Sequence, residues 1–150
     1  MVLRLHAQRG EGLHKVLDVN PSWKLLDGCE QTAEWQAEKA VKFAEDWLAK
    51  YGDQLNAIIC DNDDMSSAVQ AAMNAAGRSD IVCIGVDGNA GPLAMVKAGE
   101  LKATVFQDGA GQVTTAIGLI KDIKEGKTVE KNVTVPFVLV TSENVDEYLK

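Results

Sequence analysis

The sequence predicts an α/β protein whose core is a doubly wound parallel sheet flanked by helices. Short β-rich runs alternate with longer helical patterns along the chain, which is typical of strands joined by crossover helices. The strand runs are apolar at consecutive positions, as expected of strands that are covered on both faces. No repeat, low-complexity tract or linker interrupts the 150 residues, so we expect one domain over residues 1–150.

The first half of the chain contains one β-rich run and one long helix before the first buried strand. Residues 22–28 form the β-rich run, and the spacing of apolar residues predicts a helix over 32–52. Thr32 is a suitable cap for the start of this helix, and Gly52 is a suitable stop. The apolar positions that recur at helical spacing are Trp35, Val41, Ala44, Leu48 and Tyr51.

The residue pattern of the second half of the chain predicts three strands, each followed by a helix, and a final extended segment. The predicted strands are residues 56–60, 80–86 and 101–107. The predicted helices are residues 65–77, 91–99 and 111–126. Pro136 lies inside the final segment, residues 131–141, and belongs at a sheet edge or an irregular point because proline cannot donate to a strand ladder.

The composition argues against nucleic acid and membrane partners. Fifteen basic and 22 acidic residues give a formal net charge of −7, which repels phosphate backbones and anionic lipid surfaces. No apolar stretch reaches the ~20 residues that span a bilayer. Residues 1–10 lack the apolar core and cleavage site of a secretory signal, so we expect a soluble chain with no signal peptide in the sequence as given.

The cysteines and histidines predict neither a metal site nor a catalytic group. An odd cysteine count without C-x-x-C spacing argues against zinc and against a disulfide framework. We interpret Cys29, Cys60 and Cys83 as small buried hydrophobic residues. His6 and His14 are isolated in the sequence, and we expect surface or capping roles for both. We expect no cofactor.

Polar side chains follow the three predicted strands of the second half. Asn62, Asp87 and Gln107 each stand where one of these strands ends. In an open parallel sheet, ligands bind in the crevice beyond the carboxyl ends of the strands. These three side chains offer both donors and acceptors, which suits the hydroxyls of a sugar. Helix capping is the simpler interpretation for the neighbouring polar residues, which are Asp63, Asp64 and Asn89.

Four short motifs occur in order along the chain. They are an N-D-x-M turn at 62–65, a G-V-D-G turn at 85–88, an L-x-A-T-V-x-Q strand at 101–107 and a closing V-T-x-E-N-V at 140–145. In this order they resemble the C-terminal lobe of type I periplasmic sugar-binding proteins, the ribose- and galactose-binding group that serves ABC transporters. The similarity is continuous from about residue 6 to residue 148.

The resemblance implies a binding function without catalysis. It implies that Asn62, Asp87 and Gln107 hydrogen-bond the hydroxyls of a monosaccharide or sugar alcohol, and that Trp35 lies against the sugar ring. An indole suits this role because the apolar face of a sugar ring gains buried area on it. The alternative for Trp35 is a core position on an amphipathic helix. Trp23 and Trp47 have no support from the resemblance, and we interpret both as packing residues.

The chain departs from the family pattern at its start. Ala7 occupies the position of the family's ligand arginine, and Arg9 matches only a neighbouring basic residue, so Arg9 is not part of the predicted site. Residues 1–6 are too short for the family's first strand and loop, and against the family pattern we expect the chain to lack the N-terminal lobe. We therefore expect weak sugar binding by the chain alone. Unpaired strand edges also predict a homo-oligomer or strand exchange between copies.

The resemblance further implies an ABC transporter permease as the partner of the full-length protein, and a periplasmic or extracytoplasmic location. Two alternatives stay open from the sequence. The effector-binding domain of a LacI-type transcription regulator resembles the same lobe, although no DNA-binding helix pair is present. A flavodoxin-like phospho-acceptor would use Asp61, Asp63 and Asp64 as a Mg²⁺ pocket, although no P-loop or nucleophile paired with a base is found.

Overall fold

The computed structural model describes the backbone of residues 2–149 and the side chains of residues 7–149. His6 therefore lies outside the described side chains. The helices are α1 (Val2–Val19), α2 (Ala37–Tyr51), α3 (Asp63–Ala75), α4 (Ala90–Ala98) and α5 (Gly109–Lys124). The strands are β1 (Ala57–Ile59), β2 (Val82–Asp87), β3 (Ala103–Phe106) and β4 (Val138–Thr141). Short 3₁₀ turns cover Gly52–Gln54 and Val145–Glu147.

The four strands form one sheet in the order β1, β2, β3, β4. The first three strands are parallel, with Ile58 opposite Cys83 and Gly85 opposite Thr104. The last strand, β4, is antiparallel to β3 and forms the edge of the sheet. Pro136 precedes β4, which agrees with the predicted edge position of this proline. The predicted α/β fold class is confirmed.

The main core lies where α2, α3 and α4 cover the sheet. Helix α3 packs against α2 and β2, and α4 packs against β3. Val69 and Met73 of α3 and Cys83 of β2 are fully buried, as is Ala44 of α2. By contrast, α5 contributes no buried residue, and it leaves apolar side chains exposed, namely Val113, Ile117, Ile120 and Ile123. The chain therefore packs one face of its sheet far better than the rest of the molecule.

Two of the three cysteines behave as predicted. Cys60 and Cys83 are buried, and burial raises the pKa of each thiol to about 12. Cys29 is only partly buried, so its predicted core position is wrong. Trp47 packs against the core and stacks on Phe43, with ring centroids 6.1 Å apart, as predicted for a packing residue.

The structure corrects the predicted packing role of Trp23. This side chain is exposed over 59% of its surface and lies outside the core. The predicted strand that surrounds it is also missing, because residues 22–28 belong to no helix or strand. A strand forms only where a neighbouring backbone pairs with it, and none of the described strands pairs with this segment.

Helix α2 begins five residues later than predicted, at Ala37 instead of residue 32. Glu34 and Trp35 adopt positive φ angles of 53° and 63°, which no α-helix contains. Thr32 is therefore not the cap of this helix, and its hydroxyl instead accepts a hydrogen bond from Glu34 N at 3.4 Å. The predicted stop is correct, since Gly52 follows α2 and its N–H donates to Leu48 O.

Strand β1 has one paired edge and one open edge in the described chain. Val82 N donates to Asn56 O, and Cys60 N donates to Ile84 O, so the even-numbered residues face β2. Successive backbone groups of a strand point to opposite sides, so the backbone groups of Ala57 and Ile59 face the open edge. The Ile59 side chain is 59% exposed.

An apolar hollow of about 500 Å³ lies beside this open edge. We call it the β1 groove. Its walls come from α1, from residues 22–35, from α2 and from β1 itself, and its apolar lining includes Leu13, Val16, Trp23, Phe43, Trp47 and Ile59. None of the described helices is both long and apolar enough to cross a bilayer.

Candidate ligand-binding site

The carboxyl ends of β1, β2 and β3 meet at one edge of the sheet because these strands are parallel and adjacent. We call the residues at this edge, 61–63, 87–89 and 107, the strand-end rim. Asn62 follows β1, Asp87 ends β2, and Gln107 follows β3. Gln107 N donates to Asp87 O at 3.0 Å, so the last two of these positions are joined directly. All three predicted ligand residues therefore lie on the same rim.

Arg9 of α1 reaches this rim, which the sequence interpretation missed. Its guanidinium donates to Asp61 O, and its Nη2 lies 3.5 Å from Gln107 Oε1. The same group lies over the ring of Trp35, 5.7 Å from the ring centroid. Arg9 therefore connects the predicted aromatic residue to the polar ends of β1 and β3. Its position beside Ala7, the family's arginine position, was the available signal.

Trp35 lies in the turn before α2, not on the helix. Its alternative interpretation as a core residue of an amphipathic helix is therefore wrong in its geometry. The indole is partly buried and packs against the edge of the core. One side of Trp35 lines the β1 groove, and the contact with Arg9 ties it to the strand-end rim.

Asn62, which the sequence predicts as a ligand residue, is also the cap of α3. Its Oδ1 accepts a hydrogen bond from Met65 N at 3.0 Å. A side-chain amide has a donor as well as an acceptor, so this bond still allows Nδ2 to donate to a ligand hydroxyl. The two interpretations of Asn62, cap and ligand residue, are therefore compatible.

Asp63 has a different role from the predicted helix cap. Its side chain is fully buried, and its carboxylate accepts from Gly88 N at 2.8 Å, from Asn89 N at 3.1 Å and from Thr104 Oγ1 at 2.5 Å. It therefore joins the end of β1 to β2 and β3. Asn89 stands at the start of α4 but makes no side-chain capping bond, so its predicted capping role is wrong as well.

The acidic residues of the strand-end rim do not form the Mg²⁺ pocket of the flavodoxin-like alternative. Asp63 points into the fold, whereas Asp64 is exposed. Within the described residues, no group of three or more potential ligands converges on a point where a metal ion could bind. His14 lies at the surface with its Nε2 3.1 Å from Glu30 Oε2, as expected for a surface histidine.

Asp87 has an unusual backbone and a perturbed carboxyl group. Its φ angle is 140°, which residues with a side chain rarely adopt. Desolvation raises the pKa of Asp87 above its usual value, and the negative charge of Asp63 raises it further. The nearby Arg9 guanidinium acts in the opposite direction. A carboxylate in this position can accept charge-assisted hydrogen bonds from hydroxyl groups.

The β1 groove does not contain Asn62, Asp87 or Gln107. Arg9, Trp35 and Asp61 border both regions. The groove is mainly apolar, whereas the strand-end rim carries the polar groups that hydroxyls require. We therefore place the candidate site for a polar ligand at the rim and not in the groove.

Comparison with known proteins identifies the family of this chain. Residues 4–128 match the family model described as a periplasmic binding protein domain. The ribose import binding protein of Bacillus subtilis is 33% identical over 136 residues, which cover 91% of this chain and 43% of that protein. The xylitol-binding protein of Mycolicibacterium smegmatis is 29% identical over 138 residues, covering 92% of this chain and 39% of that protein.

The solved structures give the same result. A Caulobacter myo-inositol binding protein bound to myo-inositol is 34% identical to this chain and superposes with a TM-score of 0.79, covering 94% of this chain and 48% of that protein. The chain thus spans less than half the length of these relatives. It belongs to the periplasmic binding protein family, in the group of sugar-binding receptors of ABC transporters, whose members are transport proteins and not enzymes.

Proposed function

We propose that this chain is one lobe of a receptor that binds a monosaccharide or sugar alcohol for an ABC transporter. The ligand lies against Trp35 and is held by Asn62, Asp87 and Gln107. The observation that carries this proposal is the strand-end rim, where polar side chains from three adjacent strands lie together with an indole that Arg9 connects to them.

The side chains of the rim suit the two kinds of surface that a polyol presents. Asp87 accepts hydrogen bonds, Asn62 Nδ2 donates, and Gln107 can do both. Arg9 adds donors on the side nearest Trp35. The C–H face of the ligand packs on the indole, where apolar area is removed from water. We therefore include Arg9 in the proposed site, in addition to the four residues predicted from the sequence.

The names of the relatives support the ligand class. Ribose, xylitol and myo-inositol differ in ring size and in having a ring at all, but each presents several adjacent hydroxyl groups. The feature that these ligands share is therefore a set of adjacent hydroxyl groups, as in any polyol. These relatives are transport receptors, which favours transport over the regulator alternative. A permease as partner and an extracytoplasmic location follow from the same similarity.

A second lobe completes the site in the full receptor. The chain corresponds to the C-terminal lobe, and residues on a facing lobe close over the ligand and supply further contacts. The strand-end rim is open on the side away from the sheet, so a polyol bound by this chain alone keeps much of its surface in water. We expect a weak, millimolar dissociation constant for the isolated chain, roughly 4 kcal/mol of binding free energy.

Nuclear magnetic resonance titration of the chain with myo-inositol, xylitol and ribose tests this function. The Asp87→Ala variant loses a charged hydrogen-bond partner worth about 1.5 to 3 kcal/mol, so its dissociation constant should rise at least about tenfold. Asp64→Ala is the matched control, because Asp64 is an exposed acid beside the rim. Equal affinity of the wild-type and Asp87→Ala proteins for these polyols would show that the site is wrongly assigned.

We also propose that two copies of the chain associate through the open edge of β1. An exposed strand edge is a template for pairing with another chain, and the apolar β1 groove beside it adds surface that a partner can bury. Sedimentation at tens of micromolar measures the mass directly. A mass equal to one chain would contradict the proposal.

A further inference from the structure

We propose that Asp63 is a positioning residue that holds Asp87 in the conformation required for ligand binding. This inference rests on the proposed function, since it assigns a role to Asp63 within the same site. The side chain of Asp63 is fully buried, so Asp63 does not itself contact the ligand. It acts on the backbone that carries Asp87.

The hydrogen bonds of Asp63 are directed at the residues that follow Asp87. One carboxylate oxygen, Oδ2, accepts from Gly88 N at 2.8 Å and from Asn89 N at 3.1 Å. The other oxygen, Oδ1, accepts from Thr104 Oγ1 at 2.5 Å. Asp63 is therefore anchored on β3 through Thr104, and it accepts hydrogen bonds from the two N–H groups immediately after Asp87.

The backbone of Asp87 needs such support. A φ angle of 140° is costly for a residue with a side chain, and conformations of this kind persist only where the surroundings impose them. The carbonyl oxygen of Asp87 is held by Gln107 N at 3.0 Å. With Gly88 N and Asn89 N bonded to Asp63, the chain is fixed both at Asp87 and directly after it.

The packing around Asp63 leaves no room for adjustment. A Cβ atom added at Gly85 would lie 2.7 Å from Asp63 Oδ1 and 2.7 Å from Asn62 O. On the other side of Asp87, Gly88 has a positive φ of 76°, and an added Cβ would lie only 3.0 Å from the backbone of Phe106. Gly85 allows β2 to approach Asp63 closely, and Gly88 allows the turn after β2 to approach Phe106 of β3, so the turn is enclosed between that carboxylate and the neighbouring strand.

Asp63 also acts on Asp87 through its charge. Three charged groups influence the Asp87 carboxyl, namely Asp63 and Asp64 from α3 and Arg9 from α1. The two acids oppose ionisation of Asp87, and Arg9 favours it. The side chain of Asp63 therefore has two separable effects on Asp87: its oxygen atoms fix the turn, and its charge opposes the ionisation of the carboxyl. The backbone N–H of Asp63 acts in the opposite direction, since its hydrogen bond to the Asp87 carboxyl lowers the pKa of that group in every side-chain variant.

Two substitutions separate these effects. Asp63→Ala removes the acceptors, so hydrogen exchange at the amides of Gly88 and Asn89 should accelerate at least about tenfold. Asp63→Asn keeps an acceptor oxygen for both amides but removes the charge. It should leave these exchange rates within about threefold of wild type, and it should lower the pKa of Asp87, measured from the side-chain carboxyl resonance.

Asp64→Ala and Asp64→Asn are the matched controls, because Asp64 is an adjacent but exposed acid. Neither control should change the exchange of Gly88 and Asn89. Unchanged exchange in Asp63→Ala would overturn the inference. A pKa of Asp87 that does not fall in Asp63→Asn would overturn its electrostatic part. If Asp63→Ala does not fold, Thr104→Val removes the hydroxyl that holds the Asp63 carboxylate on β3. This variant should also accelerate hydrogen exchange at the amides of Gly88 and Asn89.

Titration with myo-inositol then connects the turn to the ligand. If the wild-type chain binds and Asp63→Ala binds at least about tenfold more weakly, with the turn released, the positioning role is supported. If the turn is released but the affinity is unchanged, the role in binding is overturned. If the wild-type chain binds neither myo-inositol nor xylitol nor ribose, the proposed function fails and the role of Asp63 in ligand binding fails with it. The exchange data would still show whether Asp63 holds the turn.

Discussion

The strand-end rim and the β1 groove lie at the carboxyl end and along the open edge of the same strand, β1. They differ in how far contacts within the chain satisfy their polar groups and cover their apolar surface. At the carboxyl end of β1, Asn62 caps α3 and Asp63 binds three donors. Along the open edge of β1, Ala57 and Ile59 present backbone groups to a hollow lined by exposed apolar side chains. At the rim, the side chains of Asn62 and Asp63 have hydrogen-bond partners within the chain. In the groove, apolar side chains stay exposed in the part of the chain that the structure describes.

This difference separates what the chain prepares alone from what it leaves to another chain. A polar site must be held rigidly before the ligand arrives, because loose donors and acceptors lose affinity when they are ordered. An apolar strand edge needs only a backbone and a side chain of suitable shape to cover it. We therefore expect substitutions at the rim to affect stability and ligand binding, and substitutions at the groove to affect association.

The largest effect on stability is expected from crowding the rim at Gly85. Gly85→Ala places a methyl group 2.7 Å from both Asn62 O and Asp63 Oδ1, and close to Ser66 Oγ. These atoms belong to buried backbone and to the bonded carboxylate, so they cannot move away cheaply. We expect a loss of about 2 to 3 kcal/mol in the free energy of unfolding, measured with urea.

Gly91→Ala is the control for this change. Gly91 lies in α4, and an added Cβ would meet no atom within 4 Å. Alanine is the better helix former, so this variant should be as stable as wild type or more stable. Equal stability of the Gly85→Ala and wild-type proteins would show that β2 does not press on Asp63 as described.

The next largest effect is expected on association through the groove. Ile59→Lys places a charge on the open edge of β1, and lysine on a strand edge opposes pairing with another chain. Ile59 is 59% exposed, so the free energy of unfolding should change by no more than about 0.5 kcal/mol. The sedimentation mass at tens of micromolar should fall to that of one chain.

Ile117→Lys provides the matched comparison, since Ile117 of α5 is 63% exposed and lies on a different element. This variant should associate as the wild-type chain does. If Ile117→Lys gives single chains and Ile59→Lys does not, association uses the apolar face of α5, and the proposed role of the β1 edge is wrong.

The smallest effect concerns the carboxyl of Asp87. Its pKa is raised in the folded chain, so its contribution to stability is complete below the unfolded pKa of about 3.9 and is lost as the pH rises through the folded value. Asp87→Asn removes this dependence. The variant should match wild type near pH 3 and should be more stable at pH 7, by less than about 1 kcal/mol because solvent screens the group.

Asp80→Asn should behave in the opposite way. The hydrogen bond from Arg78 lowers the pKa of Asp80, so Asp80 contributes stability above its unfolded pKa and loses it as the pH falls through the folded value. Asp80→Asn should therefore be less stable than wild type at pH 7 and equal to it at low pH. Thermal unfolding at both pH values measures the two differences. A less stable Asp87→Asn at pH 7 would contradict the assigned direction.

The sequence predicts the second half of this fold better than the first. The strand predicted at 80–86 is observed at Val82–Asp87, and the helix predicted at 111–126 is observed at Gly109–Lys124. These elements carry their own signals, consecutive apolar residues for a buried strand and helical periodicity for a helix. The β-rich run at 22–28 has a similar composition but does not form a strand, because pairing depends on a neighbour that composition does not reveal.

The candidate site shows the same limit. The sequence places Asn62, Asp87 and Gln107 on one rim because each stands at the end of a strand, where the position along the chain fixes the position in space. Arg9 was missed because its contact with Gln107 joins residues far apart in the chain. The sequence predicts Asp63 as a cap because an acid after a strand can point outward or inward, and its inward direction depends on donors that only the fold brings together, namely Gly88 N, Asn89 N and Thr104 Oγ1.

The placement of the three tryptophans has a practical consequence. Trp23, Trp35 and Trp47 are all the tryptophans of the chain, and all three line one hollow. The tryptophan fluorescence of this protein therefore reports on the surroundings of the β1 groove alone. Rearrangements around α4 or α5 should leave the emission unchanged. A molecule that binds in the β1 groove changes the surroundings of all three indoles. Tryptophan emission therefore reports on binding beside β1 without an added label.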